Sequence, residues 1–143
     1  MGRTDSFQRA ASVGLFLLRV VAGLLFFQVG AKKIFGWYGG TPGKEGLAAM
    51  FTTQMGIGGL LELVGGAMIV LGLFTRPVAF ILSGEMAVAY WQFHAPNGRW
   101  PIENHGEPAV LLCFIFLYLW AAGGGAFSLD AVIGKKRKPV PHR

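Results

Sequence analysis

Charge is what this sequence has least of. Only 14% of its 143 residues are Asp, Glu, Lys or Arg, against about 25% in an ordinary soluble domain. Roughly half the usual surface charge is missing, which is explained if most of the surface faces lipid. Acidic residues are the scarcer sign, 7 against 13 Lys and Arg, for a formal net charge of +6. Such an excess could suit a nucleic acid. The cations, however, stand at the ends of hydrophobic runs and in the tail, a placement that fits lipid headgroups rather than a groove-reading patch. Cysteine is nearly absent. Cys113 alone excludes an internal disulfide, a Cys-x-x-Cys redox pair and a cysteine metal cage, and inside its apolar run it reads as a small buried hydrophobe. Nucleotide motifs and haem ligands at paired helical positions are also missing. These absences argue against a self-sufficient oxidoreductase and favour a non-catalytic membrane subunit, with no catalytic residue and no metal assigned.

Long apolar runs are what the chain has in their place: 53% of residues are hydrophobic and the mean hydropathy is +0.51. Residues 55–74, MGIGGLLELVGGAMIVLGLF, suffice to cross a bilayer as one helix. Their only ionisable residue is Glu62. On a helix Gly58, Glu62, Gly65, Ile69 and Gly72 fall within an arc of about 80°. Small residues let backbones approach in lipid, and a carboxyl at this depth must face protein or water. This side is therefore expected to line the inside of an all-α membrane four-helix bundle.

The remaining spans follow in order. Residues 1–12 are polar and read as a cytoplasmic N-terminus. Residues 13–31 form a first span, with Arg19, Gly23, Phe26 and Gly30 on one face. Its length and its arginine oppose a signal peptide. Lys32 and Lys33 close it, and Trp37 and Tyr38 suit an aromatic belt. In the following loop, residues 45–54 place Leu47, Met50 and Phe51 at helical spacing, which predicts a short interfacial helix. The third span, residues 77–93, carries Glu85. Its Ala79, Ser83 and Ala87 form a small-residue ridge, while Glu85 and Gln92 lie opposite. Residues 94–107 are a polar loop. The fourth span, residues 108–127, has no charge; Ser128 then caps a short helix. Residues 134–143, GKKRKPVPHR, form a basic cytoplasmic tail. With four spans in the 13–133 domain, Arg3, Arg9, Arg76 and the five tail cations share one side. Lys32, Lys33, Lys44 and Arg99 share the other, so both termini are expected in the cytoplasm.

With these motifs placed, the chain resembles the DoxX family of small four-helix membrane proteins. The likeness rests on LLRVVAGLLFFQVGAKKIFG, GGLLELVGGAMIVLGLFTRPVA, EMAVAYWQFH, NHGEPAVLL and the closing Ser128-Leu129-Asp130. Pro108 departs from it, standing where an aromatic residue or leucine is expected. The resemblance implies a bacterial inner-membrane protein. It also implies association with a quinone-linked or oxidative-stress oxidoreductase complex, with quinone as a possible non-covalent ligand. Relatives that act as cargo receptors or assembly chaperones belong to the same picture.

Arg19, Glu62 and Glu85 form the expected buried charge network, read either as a device that fixes helix register or as a functional site. On depth along the helices Arg19 is expected to pair with Glu85, leaving Glu62 for proton or ligand handling. Lys33, Tyr90, Trp91, His94 and Glu107 are possible ligand or quinone contacts, although Lys33 also reads as an interfacial anchor and the aromatics as a belt. His94, Glu103, His105 and Glu107 match no common metal spacing. Three function classes follow: a subunit that anchors or serves an oxidoreductase complex, a small transporter or proton relay using the buried charges, and an assembly subunit without chemistry of its own. A homo-oligomer or a membrane-complex partner is expected on the third helix.

Overall fold

The computed structural model describes residues 3–40 and 51–136. Every regular element among them is helical: α1 (Arg3–Phe35), α2 (Gln54–Leu71), α3 (Thr75–Ala89), a π-helical turn (Tyr90–His94), a 3-10 turn (Ala95–Asn97), α4 (Pro101–Asn104), α5 (Glu107–Ala122) and α6 (Leu129–Lys136). The all-α expectation holds. Two helices, Thr4–Phe35 and Gln54–Leu71, are long and apolar enough to cross a membrane, and α5 is a shorter apolar helix. α1 starts well before the hydrophobic run at residue 13, continuing through the exposed polar turns around Gln8 and Arg9. The interfacial helix expected over residues 45–54 falls largely outside the described residues.

The helices associate as two antiparallel pairs. α1 packs on α2 at backbone contact, and glycine makes this possible. A Cβ on Gly30 would lie 2.3 Å from the Leu63 backbone nitrogen, and one on Gly66 would lie 2.6 Å from that of Phe27. Lipid is as apolar as leucine, so close van der Waals approach has to hold the pair together. α3 packs on α5. The Ser83 hydroxyl donates to the Cys113 carbonyl at 2.8 Å, and the Phe80 and Trp120 rings lie 5.8 Å apart. The Ala79–Ser83 side of α3 is therefore covered within the chain, which corrects the expectation that this ridge could meet a second subunit. The two pairs join through Phe26 and Phe116, edge to face at 4.9 Å, over a core containing Ile69, Leu82 and Leu119.

The α2–α3 turn is tight. Gly72 adopts φ 67°, and the Gly72 and Leu73 amides fold back on the Ile69 and Met68 carbonyls, the left-handed helix ending that favours glycine. Phe74 follows with φ 47°, an unusual conformation for a bulky residue. At the other end of the fold, buried Asn104 braces the loop before α5, donating to the Gly98 carbonyl and accepting from the Gly106 amide at 2.9 Å. Pro108 sits in the first turn of α5, where its missing N–H has no helical partner to lose. Outward-facing residues such as Leu17, Val21, Leu111 and Phe114 are exposed, an apolar surface suited to lipid.

Candidate functional site

The expected charge network divides into two separate places. The first is a cavity of about 450 Å³ between the helix pairs, near the end that carries the Tyr90–His94 turn. Its walls are largely apolar, with Phe26, Val29, Met55, Met86 and Leu112 among them. Lys33, Glu62, Glu85 and His94 supply its ionisable groups. An apolar enclosure of this size with a few placed polar groups is the ordinary form of a small-molecule site.

Local structure places each group. Lys33 lies one turn beyond Gly30 on α1, and the close α1–α2 contact brings its ammonium to Glu62. The Lys33 Nζ donates to Glu62 Oε1 at 2.6 Å. Glu62 is only 2% exposed, so the ion pair offsets a desolvation cost of several kcal/mol per charge. Glu85 comes from α3 and lies against the bare backbone of Gly58; a Cβ there would sit 3.2 Å from Glu85 Oε1. The second oxygens, Glu62 Oε2 and Glu85 Oε2, are both buried and have no protein partner. His94 Nδ1 lies 3.1 Å from the Asn104 carbonyl. A carbonyl only accepts, so Nδ1 donates in this contact. Tyr90 stacks on the same ring.

The second place lies at the opposite end. Arg19 is 1% exposed and donates to the carbonyls of Ile69, Val70 and Phe127 at 2.5–2.6 Å. It does not pair with Glu85. The depth argument placed Arg19 too close to the carboxylates, whereas the glycine-guided register of α1 on α2 sets it beside Gly72. The last-turn carbonyls of α2 carry the negative end of the helix dipole and have acceptor capacity to spare, Ile69 accepting from the guanidinium as well as from the Gly72 amide. They satisfy the guanidinium in place of a carboxylate. Asp130 completes this end: its two oxygens accept from the Phe74 and Thr75 amides at 2.8 Å, and its own amide donates to the Gly72 carbonyl.

Other expected contacts are corrected. Trp91 is 71% exposed and, like Glu107 and Tyr90, does not line the cavity. Exposed Glu107 begins α5, and Tyr90 reaches the site only through His94. Glu103 accepts from the Trp100 amide at 3.2 Å, and His105 is exposed. Among the described residues no three His, Cys, Asp or Glu side chains gather as a metal site. Asp130 and Asn104 carry roles that their motifs alone do not assign; the available signal is a polar residue in a short segment next to an apolar run, Asn104 between Glu103 and His105 and Asp130 two residues after Ser128.

The DoxX family profile matches residues 14–95, which span α1, α2, α3 and the π-helical turn. The chain belongs to the DoxX family. This DoxX protein is 39% identical over 125 residues to an uncharacterized protein of Haemophilus influenzae, covering 85% of this chain and 92% of that one. It is 29% identical to the inner membrane protein YqjF of Escherichia coli, over 90% of this chain and 98% of the relative. A Bacillus subtilis protein named "Putative oxidoreductase CatD" is 28% identical, over 91% and 94% of the respective chains. No solved structure matches the chain significantly. Membership makes this a membrane protein, which accounts for the apolar exterior.

Proposed function

We propose that this DoxX protein is a four-span subunit of the bacterial cytoplasmic membrane, with both termini cytoplasmic, that serves a quinone-linked oxidoreductase by holding the quinone ring in the Lys33–Glu62–Glu85 cavity. The cavity carries the reading. It sets ionisable groups inside apolar walls at bilayer depth, with Glu62 about 12 Å from the start of α2. Buried charge at that depth marks ligand or proton handling more often than architecture. The residues fit the ring and its polar oxygens: apolar walls for the one, and the Lys33 ammonium, steered by Glu62, as donor to the other. Quinone would supply the redox chemistry that a chain with one cysteine lacks, while the apolar walls exclude water. The relatives named for the inner membrane and as an oxidoreductase support the location and the association. With the Ala79–Ser83 side covered by α5, a partner subunit or second copy would use the outward stripe that runs along α3 into the π-helical turn, where Phe80, Gly84 and Trp91 are exposed.

Purification from native membranes in mild detergent, followed by mass spectrometry and a quinone-reduction assay, tests this. A redox subunit should co-purify, and quinone-dependent electron transfer should fall when Lys33 is replaced by Met. The unpartnered oxygens of Glu62 and Glu85 favour a second reading, a small proton relay or transporter. In that case the chain alone moves protons in liposomes and no redox subunit co-purifies, and the first reading is discarded.

A further inference from the structure

We propose that the groove between the start of α3 and the chain beyond α5 is a phospholipid site. It seats the headgroup phosphate on Arg76 and lays an acyl chain against the Phe80–Trp120 pair. The groove is separate from the Lys33–Glu62–Glu85 cavity and independent of the quinone reading.

The groove has a volume of about 440 Å³, and Thr75, Arg76, Gly123, Gly124 and Asp130 stand in its wall. Arg76 is exposed, and its hydrogen bond among the described residues runs to the Trp120 carbonyl at a long 3.3 Å. The guanidinium rests on bare backbone: a Cβ on Gly123 would lie 3.2 Å from Arg76 Nε. Its remaining donors are left for an anion, and their planar fork matches phosphate oxygens. A further polar group belongs to the same wall. Thr75 is fully buried, and its hydroxyl has no hydrogen-bond partner. Gly124 faces that hydroxyl without a side chain, since a Cβ there would lie 2.7 Å from Oγ1. A buried hydroxyl left unpaired is costly, so a ligand oxygen reaching it supplies what no protein group does.

Two observations select a lipid over a free anion. The first is Asp130, whose oxygens accept from the Phe74 and Thr75 amides. Its charge stands against a multiply charged anion and favours a phosphodiester, which carries a single negative charge. The second is the order of groups along α3. Arg76 and Phe80 are one turn apart and share a face. Phe80 and Trp120 are exposed, with their rings 5.8 Å apart. A cation at the helix end with an aromatic pair one turn further in repeats the order of phosphate and acyl chain in a phospholipid. Basic pockets between helices at the membrane surface suit such headgroups.

The test uses the full chain, delipidated in mild detergent, with three probes: phosphatidylglycerol, diacylglycerol of the same chains, and inorganic phosphate. Binding is read by native mass spectrometry and by the shift in unfolding temperature. Phosphatidylglycerol should bind about tenfold more tightly than diacylglycerol, the worth of a charge-assisted contact to the phosphate. Inorganic phosphate should give no shift. Arg76→Gln should weaken phosphatidylglycerol binding by about the same factor. Thr75→Val should weaken it several-fold, yet leave the lipid-free unfolding temperature unchanged or raised, because it removes an unpaired polar atom. Should Thr75→Val fail to fold, the exposed Arg76→Gln variant still decides the matter. Diacylglycerol bound as tightly as phosphatidylglycerol overturns the phosphate contact. A shift from inorganic phosphate equal to that from the lipid makes this an ion site and overturns the lipid. Phosphatidylglycerol binding that is absent, or unchanged in Arg76→Gln, overturns the site.

Discussion

At the scale of single residues, two cations, Arg19 buried and Lys33 half-buried, meet their needs with different partners. Lys33 reaches a carboxylate, whereas Arg19 reaches three backbone carbonyls. The planar guanidinium has five N–H donors in a fork and can serve several oxygens at once, which a point-like ammonium does less well. Arg19→Met should cost about 3 kcal/mol, because three hydrogen bonds from one buried guanidinium are lost together. Arg19→Lys should recover only part of this, as read by thermal unfolding in detergent. At the other site the order of damage is set by what remains behind. Lys33→Met strands a buried Glu62 charge and should cost about 3 kcal/mol or more, whereas Glu62→Gln leaves a neutral amide and should cost less. Equal losses from the two single variants would mean that the pair is not the source of the stability.

At the scale of elements, the chain is two helix pairs that meet along a looser seam, and the cavity lies in that seam. The pairs have different glue. α1 and α2 depend on backbone approach at Gly30 and Gly66, so Gly66→Leu has no side-chain adjustment available and should separate them, with loss of folded yield. α3 and α5 meet through side chains and the Ser83–Cys113 bond. Ser83→Leu should therefore lower the unfolding temperature without altering assembly size in nanodiscs; a change of assembly size instead would place a subunit contact on that ridge. Asp130 acts between elements, covering the amides that open α3 and holding Phe74 in its left-handed conformation. Asp130→Ala should cost about 1–2 kcal/mol, the usual worth of a helix N-cap.

At the scale of the whole molecule, the candidate site and the Arg19 anchor occupy opposite ends. The Lys33–Glu62–Glu85 cavity sits by the π-helical turn and the Asn104 loop. The Arg19–Asp130 end binds the α2–α3 turn to the segment after α5. On the proposed four-span topology the N-terminal, Arg76 and tail cations share one side, so a C-terminal reporter should be active only in the cytoplasm. A periplasmic signal would invert the proposed orientation. If a partner uses the exposed stripe of α3, Gly84→Trp should change the size of the native assembly while the isolated chain stays folded, since a Cβ at Gly84 meets nothing within 4 Å.

What the sequence determined by itself is the part written as local pattern. Apolar run length and the lack of charge specify membrane helices. The coincidence of Glu62 with Gly58, Gly65 and Gly72 specifies an inward face, because a carboxyl and a glycine stripe both avoid lipid. The motifs from Leu17 to Asp130 specify the family. Pairing was decided only by tertiary structure. The register of α1 on α2 depends on which glycines meet which backbone atoms, and a shift of one or two turns exchanges every charge partner. The pattern of one helix shows the angle at which Arg19 leaves it but not the level of the neighbour it meets. Nor does composition reveal that helix-end carbonyls will compete with a carboxylate for an arginine. Those carbonyls become acceptors only where α2 stops, and the chain brings Arg19 there only when the two helices are packed.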